Sequence, residues 1–343
     1  DNASRVNSVP ESVLCDQLGN KLMELEKTDL SAMNEAGFKF PEPFKVKADD
    51  GVTDLYGVMY KPFDFDEKKK YPIIAYVYPG PQTESVTKTF TPRSPNIALA
   101  QMGFIVIEVG NRGGNPNRSK WYHTYGYGNL RDYGLADKKT AIEQLALRHP
   151  YIDADRVGIY GHSGGGFMST AAMLVYPEFF KVAVSTSGNH ENNIYNRWWS
   201  EKHHGVKELE DKEGKVRFEY DIAKNSEIAK NLKGHLMLAT GDMDDNVHMA
   251  NTLRMVDALI KANKRFDLMI LPGKRHAYGN AANYMFWLRA DYFAKHLLGD
   301  FGQGVDIVEL TREQEQRGDT RRPPARGTQQ QQQQQGTRGR TTN

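Results

Sequence analysis

One serine in this sequence has the neighbours that a nucleophile needs. Gly161-His162-Ser163-Gly164-Gly165 follows the apolar run Val157-Gly158-Ile159-Tyr160 and precedes a helical period. In that setting a G-x-S-x-G string reads as a strand, a tight turn and a helix. The glycines let the backbone reverse sharply and keep side chains away, so that Ser163 Oγ stands above the sheet. The helix beyond it would turn backbone N–H groups and its positive end toward a developing oxyanion. A serine hydroxyl is a weak nucleophile until a base removes its proton, and an acid must hold that base in one tautomer. Where such an elbow is used, the acid follows a later strand and the histidine follows the next one. Both are present. Gly241-Asp242-Met243-Asp244-Asp245-Asn246-Val247 follows the run at 236–240, and Pro272-Gly273-Lys274-Arg275-His276-Ala277-Tyr278 follows the run at 266–271. His276 is therefore the expected base. Asp242, Asp244 and Asp245 are all within reach as the acid, and at least one is expected to be structural. His162, next to the serine, is expected to point away from the site. His248 lies just beyond the acid loop and is less well placed than His276. His123, His149, His190, His203, His204 and His296 read as surface or core residues. The pair His203-His204 lacks a partner set for a metal, and neither a metal nor another cofactor is expected.

The elements that would position these groups are legible as changes of period. Short runs rich in Val, Ile and aromatics occur at 72–78, 104–109, 157–160, 182–186, 236–240 and 266–271. Several read as strands buried on both faces. Helical periods lie between or after them at 130–147, 165–175, 250–262 and 283–298. Strands alternating with helices predict an α/β domain, a mostly parallel sheet with helices on both faces, over residues 36–299. Two further strands, 44–48 and 55–60, flank the turn signal Asp49-Asp50-Gly51. Residues 1–35 read as a separate β element carrying a hairpin, with strands at 12–15 and 21–25. Residues 300–343 read as a tail.

Composition bounds the partners. The chain has 343 residues, 39% hydrophobic and 26% charged, which is enough apolar surface for a sizeable core. Its formal charge of +2 is misleading. Residues 317–343 hold six arginines and one aspartate, net +5, so the rest carries 39 basic and 42 acidic groups, net −3. A nucleic-acid role would rest on that tail alone, and no nucleic-acid partner is expected. With Pro323-Pro324, seven consecutive glutamines at 329–335 and no large apolar residue, the tail is expected to be disordered from about 317. No apolar stretch approaches the roughly 18 residues of a membrane span. The single cysteine, Cys15, excludes an internal disulfide framework. A first residue of Asp1, with no apolar leader, suggests a processed chain or part of a longer one.

At the residues that carry the chemistry, the sequence resembles the catalytic domain of the dipeptidyl-peptidase-IV-like branch of the prolyl oligopeptidase family. The resemblance runs over about 44–298. It rests on Tyr76-Val77-Tyr78-Pro79-Gly80-Pro81, the elbow, Asp244-Asp245-Asn246-Val247-His248 and the His276 loop. It implies an α/β-hydrolase fold and a serine peptidase, with residues 1–35 the end of a preceding β-propeller. It further implies Ser163 as nucleophile, Asp244 as acid and His276 as base, with the Tyr78 hydroxyl and the Gly164 N–H as the oxyanion hole. Asn246 would donate to a substrate carbonyl, and Tyr195, Trp199 and Val247 would line the pocket for the residue before the scissile bond. A periplasmic or secreted location is implied by the resemblance only, and homodimerisation is left open. The chain departs from the family pattern at Gly164, often a tyrosine in relatives, and at Asn189 and Asn192, which replace apolar or aromatic walls. These departures predict a wider, more polar pocket than a strict post-proline enzyme has. The expected activity is hydrolysis of short peptides through an acyl-enzyme, after Pro or a small residue. The rivals are a carboxylesterase on the same fold and a non-enzymatic binding module.

Overall fold

A computed structural model of the chain describes residues 1–302 and 304–316, of which 1–302 form one compact unit. The chain begins with β1 (Asn2–Arg5), β2 (Ser8–Cys15) and β3 (Lys21–Lys27), paired antiparallel in that order. The expected hairpin is β2–β3, and β1 adds a third strand on its other side. The link between β1 and β2 buries Val6 in the main core, and Ser4 Oγ accepts a hydrogen bond from the Phe90 N–H at 3.0 Å.

The apolar runs become the centre of an eight-stranded sheet. Its strands are β4 (Glu42–Lys47), β5 (Asp54–Tyr60), β6 (Tyr71–Tyr76), β7 (Ile105–Val109), β8 (Ile152–His162) and β9 (Phe180–Thr186). After a separate hairpin of β10 (Lys207–Glu210) and β11 (Val216–Glu219) come β12 (His235–Gly241) and β13 (Asp267–Leu271). The order across the sheet is β13-β12-β9-β8-β6-β7-β5-β4. Strands β7, β6, β8, β9, β12 and β13 run parallel, and β5 and β4 complete the edge antiparallel.

Helices cover both faces. They are α1 (Ser31–Glu35), α2 (Pro95–Ala100), α3 (Lys120–His123), α4 (Leu135–Arg148), α5 (Gly164–Val175), α6 (Arg197–His204), α7 (Ala250–Lys261) and α8 (Ala282–Phe293). Because strand side chains alternate, Ile73 and Ala75 of β6 join Leu145 of α4, Met168 of α5 and Met255 and Leu259 of α7 on one face. Ile74 joins Leu99 of α2 and Phe293 of α8 on the other. None of these helices is long and apolar enough to cross a membrane.

The chain passes from β6 to β7 on one side, then back across β6 to β8 and on to β9. Strand order thus reverses between β6 and β8, and the crevice at their carboxyl ends is where open α/β sheets place a site. This is the arrangement of an α/β-hydrolase.

Some expectations shift. The helix expected from 130 begins at Leu135, because Gly134 takes the left-handed conformation (φ 75°) just before it. The helix expected over 283–298 leaves α-geometry at Ala294 and ends in a π-turn. Helix α6 and the β10–β11 hairpin lie in a stretch with no expected element: the hairpin is mostly exposed, and the buried residues of α6, Ser200, His203 and His204, are polar and give no apolar period. Beyond residue 302, α9 (Ile307–Gln316) is also unforeseen, with Asp306 Oδ1 accepting from the Glu309 N–H at 3.0 Å. The expected disorder of 317–343 lies outside the described residues.

Candidate active site

The elbow is built by backbone that only glycine permits. A Cβ on Gly161 would lie 2.3 Å from the Val77 carbonyl oxygen, and one on Gly165 would lie 2.1 Å from the same atom. The turn between β8 and α5 is therefore pressed against the end of β6. Between these glycines Ser163 is held at φ 58°, ψ −121°, a conformation that typically costs a side-chain-bearing residue about 1–3 kcal/mol. Its N–H donates to Thr186 O at the end of β9 (2.8 Å), and its carbonyl accepts the Phe167 N–H (2.9 Å) to start α5.

The same contact brings in Tyr78. Val77 N–H donates to Tyr160 O at 2.9 Å, which carries the chain past the end of β6 alongside β8. The Tyr78 hydroxyl then meets the hydroxyl of Ser163, and Gln82 Nε2 donates to it at 3.5 Å. Burial raises the Tyr78 phenol above its ordinary pKa, and the hydrogen bonds with Ser163 and Gln82 offset this only in part. It is a protonated donor at neutral pH. Gly164 lies beside it, with an added Cβ 3.8 Å from Tyr78 Cζ.

The loops after β12 and β13 close on each other through His276 Nδ1 and Asp244 Oδ2, 2.8 Å apart. Asp244 is 3% exposed, and its Oδ1 accepts the N–H groups of Asn246 (3.0 Å) and Val247 (2.9 Å). Burial alone would raise its carboxyl. The hydrogen bond and charge of His276 and the two backbone donors outweigh it and hold the carboxyl below the ordinary value. The three candidate aspartates have separate partners. Asp242 Oδ1 accepts the Gly273 N–H at 2.7 Å, and Asp245 pairs with Arg275 at 2.6 Å on the exposed surface.

The remaining expected residues gather beside the acid loop. The Tyr195 hydroxyl donates to Asn246 Oδ1 at 3.1 Å, and its ring meets Trp199 edge-on with centroids 5.5 Å apart. Val247 is buried, 1% exposed, and its N–H is spent on Asp244. Asn189 and Asn192 differ from expectation. They are buried and turned toward one another, Asn189 Nδ2 donating to Asn192 Oδ1 at 2.6 Å, rather than forming an open polar wall. Their backbone follows β9, whose end is anchored to both the elbow and β12, and so is drawn inward.

His162 also departs from expectation. Its ring lies 4.5 Å from that of His276, centroid to centroid, and 5.3 Å from that of Tyr278. It turns toward the His276 loop, because that loop covers the end of β8. Neither His162 nor Tyr278 carries a sequence signal for this contact beyond its place in the elbow and the His276 loop. Among the described residues no group of three or more His, Cys, Asp or Glu side chains could hold a metal ion.

A half-buried serine on a strained turn at the switch point, a hydroxyl donor beside it and a histidine bonded to a buried carboxylate can together perform acyl transfer. Comparison with known proteins agrees with that chemistry. The chain is 31% identical over 239 residues to dipeptidyl peptidase 8 of Homo sapiens, covering 69% of this chain and 26% of that one. It is 28% identical over 240 residues to prolyl endopeptidase FAP of Mus musculus, covering 69% and 31%. The crystal structure of Porphyromonas gingivalis dipeptidyl peptidase 4 matches with a TM-score of 0.73 at 26% identity, over 86% of this chain and 41% of that one. The chain thus spans about a quarter to a third of the length of these curated relatives. Residues 92–300, from α2 through the elbow to the end of the last core helix, match the model of the prolyl oligopeptidase family, and to that family the chain belongs.

Proposed function

We propose that this chain is the catalytic part of a serine peptidase that hydrolyses short peptides through an acyl-enzyme, in the manner of a dipeptidyl peptidase. The observation that carries the reading is the bond between His276 and the buried Asp244, with the His276 ring packed on the residue next to Ser163. In the proposed reaction Ser163 Oγ attacks the scissile carbonyl while His276 takes its proton. Asp244 keeps the Nδ1 proton of His276 in place and stabilises the imidazolium that forms. The negative charge that develops on the carbonyl oxygen is received by the Tyr78 hydroxyl and the Gly164 N–H. His276 then returns the proton to the departing amine, the C–N bond breaks, and the acyl group stays on Ser163. A water, deprotonated by His276, attacks the ester; the bond from the acyl carbon to Ser163 Oγ breaks, His276 returns the proton to that oxygen, and the acid is released.

Asn246, held by Tyr195, is suited to a carbonyl of the substrate chain, while Tyr195 and Trp199 supply apolar surface for the residue before the scissile bond and Val247 is buried in the acid loop. The relatives named dipeptidyl peptidases support a substrate class of short peptides, and the apolar lining is the ground for inferring Pro or a small residue at that position. We assign residues 1–35 to the end of a preceding β domain, because β1, β2 and β3 form a sheet of their own, separate from the eight-stranded one.

The test is covalent labelling with a fluorophosphonate and hydrolysis of dipeptide anilides beside matched acyl esters. Ser163→Ala should abolish labelling and lower kcat by several orders of magnitude. Turnover retained by purified Ser163→Ala protein would falsify the assignment. Turnover of esters alone would favour a carboxylesterase.

A further inference from the structure

Thr186 and Ser187, the last residue of β9 and the one after it, hold both the serine and the histidine sides of the site. Thr186 O takes the Ser163 N–H at 2.8 Å, and Thr186 Oγ1 meets His162 Nδ1 at 3.0 Å. Ser187 Oγ shares a hydrogen bond with the Tyr278 hydroxyl at 2.8 Å, and that hydroxyl also approaches Ala239 O at 3.3 Å. Tyr278 is 6% exposed and holds φ 56°, so the chain reverses immediately after His276 on a residue pinned from below.

Between these two anchors the His162 ring contacts His276 at 4.5 Å, tilted by 51°, and meets Tyr278 edge-on at 5.3 Å. A histidine beside a base could act as a competing cation or as an apolar ring. Burial first, and the charge of His276 second, push His162 down to about 4, so near neutral pH it is a neutral ring.

We propose that His162 and Tyr278 are positioning residues, which hold the His276 ring against its acid and over the elbow by ring contact and by the Tyr278–Ser187 hydrogen bond. The proposal rests on the roles of Ser163 and His276 given above. Neither residue touches the reacting atoms; both act through His276. Geometry of this kind matters because a misplacement of about 1 Å in a reacting group costs on the order of 10²-fold in rate.

The experiment is saturation kinetics of fluorophosphonate labelling, giving kinact and KI separately, with melting temperatures alongside. It compares wild type, Ser163→Ala, His162→Ala, His162→Phe and Tyr278→Phe. His162→Ala should lower kinact by about 10- to 100-fold with KI unchanged. His162→Phe, which restores a ring without the Thr186 bond, should recover most of that rate. Tyr278→Phe removes a single oxygen and should lower kinact with KI unchanged and little change in melting temperature. Wild-type kinact in His162→Ala, or equal losses in His162→Ala and His162→Phe, would overturn the role of the ring. If His162→Ala fails to fold, Tyr278→Phe decides, and wild-type kinact there overturns the proposal. Absence of labelling in wild type, or labelling that persists in Ser163→Ala, overturns the functional reading and this one with it. Labelling lost in Ser163→Ala but unaffected in both His162→Ala and Tyr278→Phe overturns the positioning role alone.

Discussion

Asp244 and His276 stand 32 residues apart in the chain and 2.8 Å apart in space, the carboxylate buried and the imidazole partly open. The two loops that carry them leave the adjacent parallel strands β12 and β13 at the same end, so the pair exists only once those strands are in register. Asp244 Oδ1 is occupied by two backbone donors, which leaves Oδ2 alone for the histidine. Both oxygens of the acid are therefore engaged before a substrate arrives.

Replacing one aspartate at a time should separate their roles. Asp244→Asn leaves the shape but removes the acceptor that fixes the tautomer of His276, and kcat should fall by about 10⁴, as for a triad acid. Asp245→Asn breaks an exposed ion pair with Arg275, a contact worth roughly 0–1 kcal/mol, and should leave kcat within a few-fold. Asp242→Asn should act on the folding of the loop at Gly273 rather than on the rate. Severe loss in Asp245→Asn with an active Asp244→Asn would reverse the assignment.

The same carboxylate should leave a mark on acid stability. Its folded pKa lies below its ordinary value, so the stability it adds is fully present above that value and is lost as pH falls through the folded one. Below about pH 4 the wild type should lose stability more steeply than Asp244→Asn, and denaturant titrations from pH 6 to pH 2.5 would measure the difference. Parallel curves would mean that the pairing contributes nothing to folding.

Tyr78→Phe isolates the hydroxyl beside Ser163. Loss of one oxyanion donor costs about 10²–10³ in kcat, or about 3 kcal/mol, with KM little changed. An unchanged kcat under chemistry-limited conditions would make Tyr78 a packing residue. Because burial raises its pKa, the hydroxyl should remain a donor through neutral pH and show no titration of its own below about pH 10.

Gly165→Ala should act on the fold before it acts on the chemistry. Its Cβ would meet the backbone oxygen of Val77 at 2.1 Å, and neither partner is a flexible side-chain end. Overpacking of this kind typically costs about 1–3 kcal/mol or more, readable as a lower denaturation midpoint. Unaltered stability together with full labelling would show that β6 can move away from the elbow.

The pocket formed with Tyr195 and Trp199 should accept Pro, with Ala within about two orders of magnitude in kcat/KM, because one methylene is worth only about 1–3 kcal/mol there. Dipeptide anilides differing only in the residue before the scissile bond would measure this. Cleavage confined to basic or large aromatic residues would refute the pocket assignment.

What the sequence by itself determined was whatever is encoded locally. Alternation and continuous apolar runs marked the core strands, because a buried strand needs such residues within a few positions. Glycines 161 and 165 mark the turn, because a Cβ at either would strike the Val77 carbonyl oxygen. The chain order of elbow, acid loop and His276 loop followed from the order of the strands. Tertiary structure decided everything that depends on which loop meets which. Nothing in the spacing of Asp242, Asp244 and Asp245 says which one faces His276; the Gly273 N–H and Arg275, both from the opposite loop, take the other two. The β10–β11 hairpin is mostly exposed, and α6 buries Ser200, His203 and His204, polar residues that give no apolar period, so their sequence carries little signal. Asn189 and Asn192 satisfy part of each other's hydrogen bonding, which no reading of single positions can foresee. The orientation of His162 is non-local for the same reason. Its ring direction is set by Thr186 and by the loop that closes over it, and both lie far along the chain.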